Sequence, residues 1–462
     1  MVKYILVSGG VVSGVGKGLT ASSIGALLQA CGWNVTGVKL DPYLNVDTGN
    51  MHPWEDGELY VLDDGSKVNN DMGNYERFLG IKLNSHSHIT TGKVYNDVIE
   101  AERRGDYLGK TVQVVPHITD AIQKSIERVA EAPITKTDGT AVACDICIIE
   151  LGGTIGDMES MPFIEALRQL RYRMGSENFS SVFVSLVPSI KGHEGEGVQK
   201  TKPTQHGVRE LRYRGLAPDM IVCRSDGEMS AELRASLAVS CQVTQNQVIN
   251  LWDVDNIYQT PLHLQEQGVC NAFNTQLRMD WKLPTGLQKW QQYAVRAQIL
   301  MPADAARSGD APSFALPRGS VDTVRVVLVT SSLPNFTVYD SLLSVVKALK
   351  HAGIALGTNF KIDTIAAEDI ADDADAEFQD VAKLGSRSRS PSPPPGGMVV
   401  SRRKKELASS WRVLRSADAI LMGGMNVKSS FKGSDEVSSP PHAIRATQCG
   451  STAFPASRWL IR

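Results

Sequence analysis

At 462 residues the chain has room for two or more domains, and a 42% hydrophobic content against 21% charged residues is that of a globular protein able to bury a sizeable core. A net charge of −2 excludes bulk attraction to nucleic acid or to acidic membranes, and no apolar stretch reaches the length of a membrane span. Seven cysteines lie mostly in apolar surroundings and the chain opens straight into a predicted strand, so reduced thiols, no signal peptide and a cytoplasmic location are expected.

Residues 4–20 read YILVSGGVVSGVGKGLT. Ile5, Leu6 and Val7 are a short apolar run, as in a buried strand, and the spacing of Leu19, Ile24, Leu27 and Leu28 predicts a helix ending at Gly32. Between them lie Gly9, Gly10, Gly14, Gly16 and Lys17. Strand, glycine-rich turn, lysine and helix make a phosphate cradle: backbone N–H groups approach the anion, the helix start adds positive potential, and the lysine adds a mobile charge. The match to G-x-x-x-x-G-K-[ST] is imperfect, with Val11 at the first glycine position and Gly18 where a hydroxyl would bind Mg²⁺.

Residues 35–40 predict a second strand. It delivers Lys39 and Asp41 to its carboxyl end, where parallel α/β sheets hold their ligands. Residues 45–84 are polar, rich in glycine and weakly periodic; they read as a long functional loop containing Asp71. A helical segment and the apolar run 111–115 then lead to Pro116 and His117, and residues 133–141 read as an inserted loop. Residues 145–151 predict another buried strand, so the C-x-x-C of Cys144 and Cys147 reads as core rather than metal site. That strand ends in Glu150 before a Gly-Gly turn, where a carboxylate can hold Mg²⁺ directly or through water.

Residues 160–173 predict an amphipathic helix, and residues 181–187, 219–223 and 247–252 predict strands. Lys200, Lys202 and Gln205 stand just ahead of a helix in a loop stiffened by Pro203, an arrangement suited to a polyanion. The regular alternation predicts a doubly wound, mostly parallel α/β sheet with a P-loop-like phosphate site.

The stretches GGVVSGVGKG, KLDPYLNVD, DMGNYERF, ERRGDYLGKTVQVVPHIT, IELGGTIGDMES, KTKPTQHGVREL and DVDNIY, in this order over residues 1–274, resemble the CTP synthase family in its eukaryote-like form. The resemblance implies an amidoligase in which ATP phosphorylates the 4-oxygen of UTP and ammonia displaces the phosphate to give CTP. It implies ATP phosphates on Gly14, Val15, Gly16, Lys17, Gly18 and Leu19, and adenine near Trp252, Asp253 and Val254. Lys17 and Lys39 would be catalytic and would neutralise the transferring phosphoryl group. Asp71 and Glu150 would hold Mg²⁺. Ser13, Asp157, Met158 and Glu159 would face UTP or the feedback inhibitor CTP. Lys200, Thr201, Lys202, Pro203, Thr204 and Gln205 would bind UTP, with Ser236 where the family has a lysine; Arg234 stands two residues earlier as a substitute. His117 would line the ammonia route. A homotetramer, filaments in some members and activation by GTP are also implied, with no nucleic-acid or membrane partner.

The expected domains are a synthetase at 1–280, a linker at 281–322, and a partial α/β class I glutaminase-like domain at 323–462 with a low-complexity insert near 385–400. Strand 324–329, helix 339–350 and strand 419–424 resemble the start of that second domain. The family's VGKY is VTSS at 329–332, however, and its GGFG is GGMN at 423–426. The only cysteine after Asn274 is Cys449, outside any G-x-C-x-G pattern, and His442 precedes it. Glutamine use and a GTP effect are therefore not expected of this chain. Two other readings remain: a structural subunit with impaired catalysis, and a P-loop ATPase switch, which leaves KTKPTQ and KLDPY unexplained.

Overall fold

The computed structural model describes residues 2–10, 12–49, 51, 59–191, 197–254, 256–279, 286–300, 323–330, 342–366 and 416–422. These fall into two compact units, one from the described parts of Met1–Met51 and Leu62–Ala311, the other from those of His52–Val61 and Pro312–Arg458.

The first unit is built on seven parallel strands: β1 (Lys3–Gly9), β2 (Val35–Asp41), β3 (His88–Thr90), β4 (Ile146–Leu151), β5 (Phe179–Leu186), β6 (Met220–Ser225) and β7 (Val248–Trp252). Their order is β7-β6-β5-β1-β4-β2-β3, every pairing parallel. Ile5, Leu6 and Val7 are wholly buried because both faces are covered, which is why the strands read as continuous apolar runs rather than alternating ones.

Helices α1 (Lys17–Ala30) and α2 (Asp71–Leu79) lie on one face, where a Cβ on Gly25 of α1 would strike Leu79 of α2 and Ile148 of β4. Alternate strand residues such as Leu6, Val38 and Ile149 point the other way. They pack with α4 (Thr119–Glu131), α5 (Met161–Met174), α6 (Lys202–Tyr213) and α7 (Ala231–Ser240) in one hydrophobic core. Helix α3 (Thr91–Arg104) contributes Val94 and Val98 to the same core. Helices α8 (Thr260–Glu266) and α9 (Val269–Leu277) follow β7. The doubly wound, mostly parallel sheet is the architecture expected.

Three segments differ from expectation. The stretch 45–84 is not one structureless loop: Leu59–Val61 and Lys67–Asn69 are strands, and α2 opens at Asp71. Met72, Tyr75, Phe78 and Leu79 form the buried face of α2, a pattern diluted in sequence by Glu76, Arg77 and Asn74. Residues 133–141 include Ile134–Lys136, paired antiparallel with Ala141–Val142. The stretch 281–322 is not all linker. Leu287–Leu300 is a helix, α10, with Trp290, Tyr293, Ala294 and Ala297 buried at i, i+3, i+4 and i+7. The Trp290 ring lies 4.9 Å from Phe78 and 6.2 Å from Tyr258, aromatic contacts that join α10 to the first unit.

The second unit holds three parallel strands, β8 (Thr323–Thr330), β9 (Asn359–Ala366) and β10 (Ala419–Met422), in the order β9-β8-β10, with α11 (Leu342–Leu356). Val326, Leu328 and Leu349 form its core. The 385–400 insert, the altered turns at 331–332 and 423–426, His442 and Cys449 lie outside the described residues. Among the described residues no helix is long and apolar enough to cross a membrane.

Candidate active site

The carboxyl ends of three neighbouring strands, β1, β4 and β2, make the site. Beyond β1 the turn passes through Gly14 (φ 71°) and Gly16 (φ 91°), left-handed conformations that favour glycine, and Gly16 caps α1. Lys17, the first residue of α1, folds back over Gly9, whose missing Cβ leaves room for the lysine stem. Its Nζ donates to the Gly153 carbonyl at 2.5 Å, and the Ile155 N–H donates to the Gly9 carbonyl at 3.1 Å. The GGTIGDMES loop is thus tied to the glycine-rich turn.

Lys39 sits in register with Glu150 across β2 and β4. Its Nζ lies 2.9 Å from Glu150, 2.8 Å from Asp71 and 3.7 Å from Asp41. Asp41 in turn meets His88 Nε2 at 2.8 Å and accepts from the Tyr43 hydroxyl at 3.1 Å. Lys39 and Asp41 thus belong to a buried network rather than to a solvated surface ion pair. Burial works against the Lys39 ammonium, but Asp41, Asp71 and Glu150 outweigh it and hold its pKa well above the usual lysine value. Burial would raise Asp41; Lys39 and His88 overcome it and hold the carboxyl at about 2. Burial lowers the Lys17 ammonium, against the pull of Glu150. Glu150 is pushed up by burial, and Lys39 only partly offsets this because Asp71 repels it.

The two partners of the Lys39–Glu150 pair are both shifted upward. The lysine is raised by its three carboxylate neighbours against burial, and the glutamate chiefly by burial, with Asp71 adding to it. Three carboxylates gathered on one lysine suit a divalent cation. Both Glu150 oxygens are engaged, by Lys39 and by the Tyr75 hydroxyl at 3.0 Å. Asp71 is the more open, its side chain 36% exposed, and it lies against Gly18, where an added Cβ would stand 2.8 Å from Oδ1. Among the described residues no three His, Cys, Asp or Glu side chains form a complete metal cage. Mg²⁺ commonly takes one or two carboxylates, waters and phosphate oxygens, so the residues present fit it.

The remaining expected site residues lie around this centre. At the end of β7, Asp253 accepts two hydrogen bonds from Arg224, whose Nη1 also donates to the Gly14 carbonyl at 3.3 Å. The Trp252, Asp253 and Val254 segment is thereby linked to the turn. Trp252 stacks at a tilt on His263, centroids 4.8 Å apart. Gly10 packs against Gly207 of α6, and that helix opens at Lys202 with Pro203 in its first turn, so Lys202, Pro203, Thr204 and Gln205 are helical rather than in a loop ahead of the helix as expected. Thr204 is buried, and Gln205 donates to Thr201 at 3.2 Å. Lys200, Lys202, Ser13, Met158 and Glu159 are exposed, and none makes a side-chain hydrogen bond among the described residues. Asp157 accepts from Thr154, N–H and hydroxyl both, and so shapes its loop.

Ser236 is exposed on α7. Arg234 lies about 200° around that helix and donates to Gln267 at 3.4 Å, turned away from Ser236. His117 accepts the Gln113 N–H at Nδ1 and stands edge-on to Tyr107. Sequence reasoning missed Tyr75, His88 and Arg224. Arg224 carried a signal, a lone charge at the end of the apolar run MIVC.

Sheet, turn and lysine cluster define an α/β protein with a P-loop-like glycine-rich turn at the carboxyl end of its central strand. Within that class the match is specific: residues 3–279, more than half of the chain, fit the family model described as "CTP synthase N-terminus", and the chain belongs to the CTP synthase family. It is 48% identical to the CTP synthase of Gibberella zeae over 79% of this chain and 59% of that protein. It is 45% identical to human CTP synthase 1 over 80% of this chain and 58% of that one. With CTP synthase 1 of Saccharomyces cerevisiae the identity is 41% over 92% of this chain and 66% of that protein. The chain thus spans somewhat under three-fifths of the length of the first two relatives. A plasmid partition protein from Borrelia burgdorferi bound to AMPPNP overlaps 58% of this chain and 99% of its own, at 9% identity and a TM-score of 0.27, too low a likeness to bear on this chain.

Proposed function

We propose that the first unit catalyses ATP-dependent amination of UTP to CTP, in the cytoplasm, through a 4-phosphorylated UTP. The observation that carries this reading is the Lys39-centred cluster beside the glycine-rich turn, inside the stretch that matches the family. Lys17 and Lys39 neutralise charge that grows on the transferring phosphoryl group, the main demand of such a transfer. Gly14, Val15, Gly16, Gly18 and Leu19 cradle the ATP phosphates, with the adenine beside Trp252, Asp253 and Val254. When bound, Mg²⁺ would supply charge neutralisation to the phosphates. Asp71 would hold it directly, and Glu150, both of whose oxygens are engaged, would hold it through water.

Ser13, Asp157, Met158 and Glu159 face the pyrimidine nucleotide, UTP as substrate or CTP as inhibitor. Lys200, Thr201, Lys202, Pro203, Thr204, Gln205 and Ser236 form its triphosphate side. These residues are largely exposed, which suits a site completed by another subunit of a homotetramer; filaments belong to the same proposal. His117 lies on the ammonia route. Glutamine and its activator GTP have little role in this chain. A second reading, an impaired structural subunit, is favoured by one observation: neither Ser236 nor Arg234 places a cation at that point of α7.

The test is CTP formation by the purified chain from UTP, ATP and Mg²⁺, with ammonia or glutamine side by side. CTP with ammonia supports synthesis. No CTP, together with tight nucleotide binding and assembly into a tetramer, supports the structural subunit.

A further inference from the structure

Helix α2 supplies two groups to the site, one turn apart. Asp71 at its first position reaches Lys39, and Tyr75 at i+4 reaches Glu150. Lys39 closes the circuit by bonding both carboxylates. The Tyr75 ring is wholly buried and lies on Gly37 of β2, where an added Cβ would stand 2.7 Å from the ring. Gly37 is two residues before Lys39, hence on the same face of the sheet, and pairs with Ile148 just as Lys39 pairs with Glu150. The ring thus fills the space that Gly37 leaves, and its hydroxyl arrives one strand over at Glu150 Oε2.

A glutamate on a strand end has three rotatable bonds, and Lys39 engages only Oε1. The hydroxyl on Oε2 is the second point that fixes the carboxylate plane. We infer that Tyr75 is a positioning residue: it sets the orientation of Glu150, and through it the place of the Lys39 ammonium. The inference rests on the proposed reaction for its kinetic consequence, and on this geometry alone for the structural one.

The variant is Tyr75→Phe in the full chain, which keeps the ring and removes the hydroxyl. Ammonia-dependent kcat should fall about 10-fold while KM for ATP and UTP stays within about twofold, as expected when the support of a site residue is lost. A raised KM with unchanged kcat, or no change in either, overturns the inference. A readout free of turnover is the ¹³Cε resonance of Lys39 in lysine-labelled, nucleotide-free protein, assigned with Lys39→Arg. It should move in Tyr75→Phe and stay in Tyr95→Phe, a change on α3 at a residue packed against the core on the other face of the sheet. If the wild-type chain makes no CTP, the proposed reaction fails, and this resonance alone decides the role of Tyr75; a resonance that does not move overturns it. Should Tyr75→Phe not fold, Tyr75→Phe/Glu150→Gln is compared with Glu150→Gln, where no buried charge is left unpaired. Equal kcat and equal Lys39 signals support action through Glu150; a further change in either overturns it.

Discussion

Lys39 and Glu150 are register partners on adjacent parallel strands, and the lysine ammonium lies 2.9 Å from the buried carboxylate. Such a pair adds little net stability over an apolar pair, yet removing one member leaves an uncompensated buried charge.

Lys39→Ala should therefore lose both stability, about 3 kcal/mol, and turnover, about 100-fold or more. Adding Glu150→Gln should restore much of the melting temperature and none of the activity. Lys17→Ala should lose activity with a smaller drop in stability, because its Nζ bonds a backbone carbonyl. Thermal melts beside CTP assays check this; turnover within a few-fold of wild type in either single variant would count against the assignment.

Asp71→Asn and Glu150→Gln should both raise the Mg²⁺ concentration needed for half-maximal activity, Asp71→Asn the more. Asp71 has an open carboxylate beside Gly18, whereas Glu150 is held on both oxygens. Mg²⁺ titrations decide it, and identical curves for wild type and both variants would return these carboxylates to a structural role.

The Asp41 carboxyl, held at about 2 in the folded chain against an ordinary 3.8, binds its proton less readily folded than unfolded. Its contribution is therefore present above pH 3.8 and lost as pH falls toward 2, to the extent of about 2 kcal/mol. Denaturant midpoints of wild type should fall more steeply between pH 4.5 and pH 3, roughly the accessible part of that window, than those of Asp41→Asn. Parallel slopes would refute the pairing with Lys39 and His88.

These outcomes turn on side chains of unequal legibility. Lys17, Lys39 and Glu150 stand where apolar strands end or a helix begins, so local pattern alone places them. Their convergence follows from the strand order β1-β4-β2, which no local pattern contains. Tyr75 and His88 look in sequence like ordinary core residues; only the docking of α2 on Gly37 and of β3 on β2 gives their polar atoms a partner. The helix Leu287–Leu300 is hidden because its four buried positions are diluted by Gln288, Gln291, Gln292 and Gln298. The KTKPTQ segment shows in sequence only as cations near a helix start, and DMES only by resemblance, since the side chains of Lys200, Lys202, Met158 and Glu159 are exposed and take no partner among the described residues.

Glu159→Lys should weaken inhibition by CTP. Glu159 is exposed just ahead of α5, free to meet a nucleotide, and reversing its charge removes an acceptor. An unchanged inhibition constant for CTP would remove Glu159 from that contact.

Ammonia should support synthesis by this 462-residue polypeptide, and glutamine should not. Cys449 lacks the G-x-C-x-G turn that exposes a nucleophilic thiol, and the described strand β10 leads into GGMN rather than GGFG. GTP should then change the rate little. Glutamine-dependent CTP formation in ammonia-free buffer, without any added amidotransferase, would overturn this.

The contact between Gly18 and Asp71 gives the departure from the usual lysine–hydroxyl motif a mechanical meaning. The volume that a serine side chain would take at this position belongs to a carboxylate arriving from another helix, itself anchored by Lys39. Repairing the motif with Gly18→Ser would thus not add an oxygen to the site but set two oxygens competing for one position. A change that moves the chain toward the textual consensus should act as a lesion, and its natural suppressor would lie far along the chain, in a smaller residue in place of Asp71.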